Sequence, residues 1–207
     1  MTAAREAVLA RIREALADGA PVPEVPRDYG ESGSASREEV IAQFVQRVEE
    51  MGGAVVAASD AGSGIAAALV ARGASRVVVA PDLPAALRPD DLEVVEDRGL
   101  SPWELESLDG AITTCAAACA DTGTVALDGG SGQGRRAITL VPDLHVCVVE
   151  RDQILETVPE LFERLAPSAR AGRPIVLVTG PSATSDLGFE RVEGVHGPRS
   201  FVVVLAP

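Results

Sequence analysis

Four short runs along this chain are almost wholly apolar and rich in valine: residues 76–80 (RVVVA), 144–150 (LHVCVVE), 174–179 (PIVLVT) and 201–205 (FVVVL). A strand wetted on one face alternates apolar with polar residues. A strand covered on both faces has no polar side to show, and such strands belong to parallel sheets flanked by helices. Helical patterns between the runs supply that cover. Residues 64–72 read as a helix, and shorter strands are expected at 54–58 and 92–95. The β-α-β-β order predicts an α/β protein with a Rossmann-like, mostly parallel sheet. The second half predicts extra strands at 111–114, 124–127 and 137–140, with a short helix near 159–165.

The N-terminal region is set apart. Val8, Leu9, Ile12 and Leu16 mark one stripe of a helix over residues 2 to about 17. Residues 20–35 are rich in Pro, Gly and Ser and carry no periodicity. Ser36 with Glu39 is a capping-box signal that opens a second helix running to about residue 51. We therefore divide the chain into an N-terminal helix and arm, 1–35, and an α/β domain, 36–207. The N-terminal helix is expected to pack on a second copy or on a partner.

Of 207 residues, 46% are hydrophobic, so a full core is available, but only 3% are aromatic. Val, Leu, Ile and Ala must build it. All 18 basic residues are Arg, against 31 acidic ones, for a net charge of −13. The absence of Lys excludes Schiff-base chemistry and a P-loop lysine. Without a basic run the chain is not expected to bind nucleic acid, since neutralising phosphates supplies most non-specific affinity. No stretch reaches the ~18 apolar residues of a membrane span, and residues 1–16 lack a signal-peptide pattern. A cytoplasmic protein is expected. Cys115, Cys119 and Cys147 are too few and too spread for a disulfide framework or a cluster-ligand run. They read as small buried residues, with a redox pair at 115 and 119 as the alternative. No metal site or resident cofactor is expected.

Three glycine-rich segments stand outside the regular elements, each where a strand ends, and open α/β sheets bind ligands at strand ends. Asp121-Thr122-Gly123-Thr124 can form a turn or orient a ligand hydroxyl. Residues 128–136 (DGGSGQGRR) place Gly130, Gly132 and Gly134 before the adjacent pair Arg135 and Arg136. Glycine N–H groups and guanidiniums suit a small anion, while the same residues could be a hairpin tip. Gly180-Pro181-Ser182 with Thr184 and Asp186 is followed by His196 and Gly197. For His196, proton handling and a plain turn histidine are both open. His145, within an apolar strand, reads as a core histidine.

Residues 120–149 (ADTGTVALDGGSGQGRRAITLVPDLHVCVV) and 178–205 (VTGPSATSDLGFERVEGVHGPRSFVVVL) resemble the two signatures of the lactate-utilisation protein C (LutC/YkgG, LUD-domain) family. Two positions depart from it: Asp121 stands where many relatives carry Glu, and Leu-Gly-Phe follows Asp186 where relatives place Ile-Glu. The resemblance implies a fold like that of the glucosamine-phosphate isomerase, ribose-phosphate isomerase and CoA-transferase group. It also implies a role in oxidising L-lactate to pyruvate beside iron–sulfur partner proteins. Since this chain lacks cluster-ligating cysteines, we expect a non-redox subunit that binds a small carboxylate or phosphate. A free-standing isomerase or acyl/CoA-transferase-like enzyme is the alternative. Asp121 and His196 are the candidate proton-transfer residues. The other named glycines, hydroxyls, arginines, Pro181 and Asp186 are candidate ligand contacts, and all four segments are expected to share one cleft.

Overall fold

The computed structural model describes residues 2–17, 19, 24–26, 30, 32–184 and 192–207. The chain forms two compact units, Met1–Gly30 and Glu31–Pro207. The first contains the helix α1 (Thr2–Ala15). Within that unit Val8, Ile12 and Leu16 of the predicted stripe are left uncovered.

The second unit runs α2 (Arg37–Glu50), β1 (Ala54–Ala57), α3 (Ala61–Ala71), β2 (Arg76–Val79), β3 (Glu93–Glu96), α4 (Pro102–Glu106), β4 (Gly110–Thr113), β5 (Ala117–Cys119) and β6 (Thr124–Leu127). It continues with β7 (Leu144–Glu150), β8 (Ile154–Leu155), α5 (Val158–Arg170), β9 (Val176–Val178), β10 (Ala183–Thr184), β11 (Val192–Glu193) and β12 (Ser200–Ala206). Six strands form a sheet in the order β1-β12-β7-β4-β2-β3, and each of its pairings is parallel. Three of the four apolar runs explain this sheet, as β2, β7 and β12. The fourth, 174–179, instead forms β9, which lies in another sheet, antiparallel to β6, and is half-exposed rather than covered on both faces. Val202, Val204, Val146 and Ile112 bury one face against Ile65 and Leu69 of α3. Phe201, Val203, Leu205 and Val149 bury the other against Val40, Phe44 and Val48 of α2.

A second sheet, β8-β5-β6-β9, lies beyond that second face. Its residues Ala118, Val125 and Leu127 join the α2 core, while Ala117, Cys119 and Ala126 turn outward onto Leu161 and Leu165 of α5. The layers are therefore α3, the parallel sheet, α2 with the second sheet, and α5.

Several helix ends show the expected chemistry. Ser36 Oγ accepts from the Glu39 N–H at 3.4 Å and Glu39 Oε2 accepts from the Ser36 N–H at 2.8 Å. Boxes of the same kind at Ser101/Glu104 and Thr157/Glu160 open α4 and α5. They account for a helix absent from the sequence reading and for one longer than expected. Gly33 and Ala35 donate backbone N–H groups to Glu160 and Glu156, contacts that lie within the second unit.

One expected strand is corrected. Residues 137–140 are not a strand: Arg136–Thr139 is a single 3-10 turn. Ile138 reaches the core by packing with Val78 and Ala111, and β7 already pairs with β4 and β12, so no ladder position remains. The hairpin alternative for 128–136 also fails, because β6 and β7 belong to different sheets.

Candidate functional site

The site is built where β9 leaves the second sheet. Gly180 has φ +77°, and a Cβ there would stand 2.5 Å from the Met51 carbonyl oxygen just after α2. Only glycine makes this turn against that backbone. The chain then reaches Ser182, whose N–H donates to the Pro198 carbonyl at 2.8 Å, while the Gly194 N–H donates to the Ser182 carbonyl at 3.0 Å. The pair β10–β11 closes this into a flap that brings His196-Gly197-Pro198 beside Gly180-Pro181-Ser182. Opposite lie Arg136, Thr139 and His145. Together they enclose a cleft of about 400 Å³.

Both histidines of the chain face this cleft. His196 is exposed and His145 is buried at its floor. His145 Nε2 and Thr113 Oγ1 are 2.8 Å apart, and its ring lies 5.4 Å from that of Phe201. The core reading of His145 therefore holds, but that residue also lines the cleft, which the sequence reading missed. Its signal was a hydrogen-bonding side chain in an otherwise apolar strand, since such a group needs a partner.

The two adjacent arginines have different surroundings. Arg135 forks onto buried Asp97, with Nε–Oδ2 2.5 Å and Nη2–Oδ1 2.9 Å, and also donates to the Leu100 carbonyl. Burial pushes the Asp97 carboxyl up, but Arg135 and the N–H groups of Leu100 and Gly99 outweigh it and hold the group below the ordinary aspartate range. Arg136 is exposed at the cleft and has no ion-pair partner among the described residues. It is the cation available to a ligand.

The glycine-rich loop uses much of its own hydrogen bonding internally. Gln133 Oε1 accepts from the N–H groups of Asp128 and Gly129 at 2.7 and 3.0 Å, and Asp128 Oδ1 accepts from Gly130 N–H. Asp128 also meets Arg173 at 2.8 Å and the Ser168 hydroxyl at 2.5 Å. Ser131 and Gly132 carbonyls accept from Thr114, just past β4, and Gly134 packs on Ala80, just past β2. The loop thus covers the carboxyl ends of these strands. The open concavity lies instead beside the second residues of β7 and β12, His145 and Phe201. Gly129, Gly134 and Arg135 line a smaller cavity of about 160 Å³, which shares Arg136, Thr139 and Val176 with the cleft.

The Asp121–Thr124 segment reaches the cleft only indirectly. A Cβ on Gly123, at φ +63°, would meet the α2 backbone at 2.7 Å, so the turn is seated against that helix. Asp121 is exposed, accepts from Gln43 at 3.3 Å and does not line the cleft. Thr122 donates to Thr124, and Thr124 meets Thr179 on the cleft wall, both at 2.7 Å. Among the predicted contacts, Arg136, Gly180, Pro181, Ser182, His196 and Gly197 come together. Gly130 and Gly132 lie in the loop, Thr184 lies on β10, and Asp186 falls outside the described residues.

All three cysteines are buried. Cys115 and Cys119 belong to different cores, which separates the alternative redox pair. Hydrogen bonding with Cys147 and burial push the Cys115 thiol up. Among the described residues no group of three or more His, Cys, Asp or Glu is placed to hold a metal, and no helix is long and apolar enough to cross a membrane.

Comparison with known proteins places this architecture. Residues 90–206 match the LUD domain. A lactate utilization protein C of Deinococcus radiodurans is 42% identical over 96% of this chain and 93% of its own length. The Escherichia coli protein YkgG is 33% identical over 41% of this chain and 38% of its own. The crystal structure of a DUF162 family protein from Deinococcus radiodurans superposes with a TM-score of 0.74 at 38% identity, covering 84% of this chain and all of the other. The chain belongs to the LUD-domain family.

Proposed function

We propose that this chain is the non-redox subunit of an L-lactate utilisation system, working beside iron–sulfur proteins and holding a small carboxylate or phosphate in the cleft. The name carried by its relatives supports the process. The observation that carries the site is the cleft itself, where Arg136, without an ion-pair partner among the described residues, stands with both imidazoles and the hydroxyls of Ser182 and Thr179. A guanidinium grips a planar carboxylate through two parallel N–H donors. Imidazoles and hydroxyls then complement an adjacent hydroxyl or keto oxygen. His196, the exposed imidazole, is the group placed to exchange a proton with bound ligand or to orient it.

Calorimetric titration of the full chain with L-lactate, pyruvate and inorganic phosphate tests the site. Saturable binding of at least one is expected, and its absence with all three would remove lactate, pyruvate and phosphate as ligands of the cleft. Recovery of iron–sulfur proteins with the natively expressed chain tests the subunit role.

A further inference from the structure

Beside the cleft lies a second space that a three-carbon acid would leave unused. It measures about 160 Å³, and Leu127, Pro174 and Val176 line it with the glycine backbone of the loop. Two of the polar groups that line it, apart from Arg136 and Thr139 at the side toward the cleft, are engaged elsewhere. Arg135 is clamped by Asp97, and Gln133 Oε1 is filled by two backbone N–H groups. A hydroxylated arm entering here would give up bonds to water and find few in return, which is costly. An apolar arm would give up none. Apolar cavities of about 150 Å³ take guests the size of benzene.

The two spaces are adjacent, since Arg136, Thr139 and Val176 line both. The cation therefore borders both a polar chamber and an apolar one. We infer that the ligand is a monocarboxylate whose carboxylate is held at Arg136 and whose apolar arm, of about four to six carbons, fills the smaller cavity. This rests on the reading of the cleft as an anion site. It excludes sugar phosphates, whose arm carries hydroxyls.

The test is calorimetric titration of the full chain with L-lactate, 2-hydroxybutanoate, 2-hydroxyhexanoate and ribose 5-phosphate. Affinity should rise about three- to fourfold for each added methylene, the equivalent of burying one CH2, and ribose 5-phosphate should bind more weakly than 2-hydroxyhexanoate. Pro174→Trp, which places an indole in the smaller cavity, should flatten the series, with a melting curve to confirm folding. If that variant fails to fold, the wild-type series decides alone. A flat series in which lactate still binds would overturn the apolar arm and leave the anion site standing. A rise equally steep in Pro174→Trp would place the arm elsewhere. Failure of every acid to bind would instead remove the anion site on which the inference rests.

Discussion

Arg135 and Asp97 form a two-point contact between the glycine-rich loop and the carboxyl end of β3, with the carboxylate almost fully enclosed and the guanidinium partly open. The pair fixes the chain just before Arg136, so a stabilising ion pair sets the position of the cleft-facing cation. Arg135→Ala should destabilise the protein by about 1.5–3 kcal/mol, the range for a hydrogen bond to a charged group, with the enclosed carboxylate left short of donors. Urea unfolding measures this. An unchanged midpoint would make the contact incidental.

The same pair sets an acid limit. The Asp97 carboxyl is held below its ordinary value in the folded chain, so the unfolded chain takes up the proton more readily. This contribution to stability is fully present above the unfolded aspartate value of about 3.9. It is lost as pH falls through the lower folded value. Asp97→Asn should therefore lose stability at neutral pH and show a shallower decline below pH ~4 than the wild type. Parallel melting curves from pH 7 to pH 3 check the difference, and identical slopes would refute it.

Arg136 should behave in the opposite way to its neighbour. Arg136→Ala should weaken binding of the cleft ligand by roughly tenfold or more, since a charge-assisted contact contributes about 1.5–3 kcal/mol. Stability should move by less than about 0.5 kcal/mol, as is usual for an exposed side chain without a partner among the described residues. Titration and melting of both alanine variants separate the two arginines, and a loss of stability in Arg136→Ala would show that the assignment is reversed.

The features legible in the sequence were those that depend on local pattern. Three of the valine runs announce the doubly covered sheet, the run at 174–179 being an antiparallel, half-exposed strand of the second sheet, and Ser36 with Glu39 announces the start of α2. Arg135 and Arg136 are indistinguishable by spacing, because Asp97, which captures one of them, lies 38 positions away. The segment 137–140 has strand-like composition but no free strand to pair with. Asp121 and the glycine at 123 carry a turn that packs on α2 rather than facing the cleft, and nothing within that motif distinguishes the two roles. His145 was legible as buried, but its place on the cleft floor depends on β9 and the flap, elements that begin some 30 residues later.

The histidine floor offers a further test. Thr113 Oγ1 is the bonding partner of His145 Nε2 in a buried setting. Thr113→Val keeps the shape but removes that oxygen. It should cost about 1–3 kcal/mol, the penalty for stranding a buried polar group. Thr113→Ser, which retains the oxygen, should recover most of it apart from the lost methyl. Thermal unfolding of the two variants reads this directly. Equal loss in both would assign the effect to packing rather than to the hydrogen bond.

The helix α1 poses the last question. Val8 and Ile12 on this 14-residue helix, and Leu16 just past its end, recur at four-residue spacing and stay uncovered within their own unit. A helix of that length is marginal alone in water, and packing of its apolar face is what ordinarily holds it. We propose that this face packs on a second copy of the chain or on a partner subunit. Deleting residues 1–30 removes the whole first unit while leaving the Gly33 and Ala35 anchors to Glu160 and Glu156 intact. The truncated chain should keep its cooperative melting transition and its anion binding. It should lose mass in sedimentation, or lose the iron–sulfur proteins proposed as its partners on co-purification. Replacing Val8 and Ile12 together with Glu should reproduce the loss of association without shortening the chain, because two charges on the seam disfavour its burial. If the truncated chain has no melting transition, α1 belongs to the core of its own molecule. If association survives both changes, the contact lies on the α/β unit.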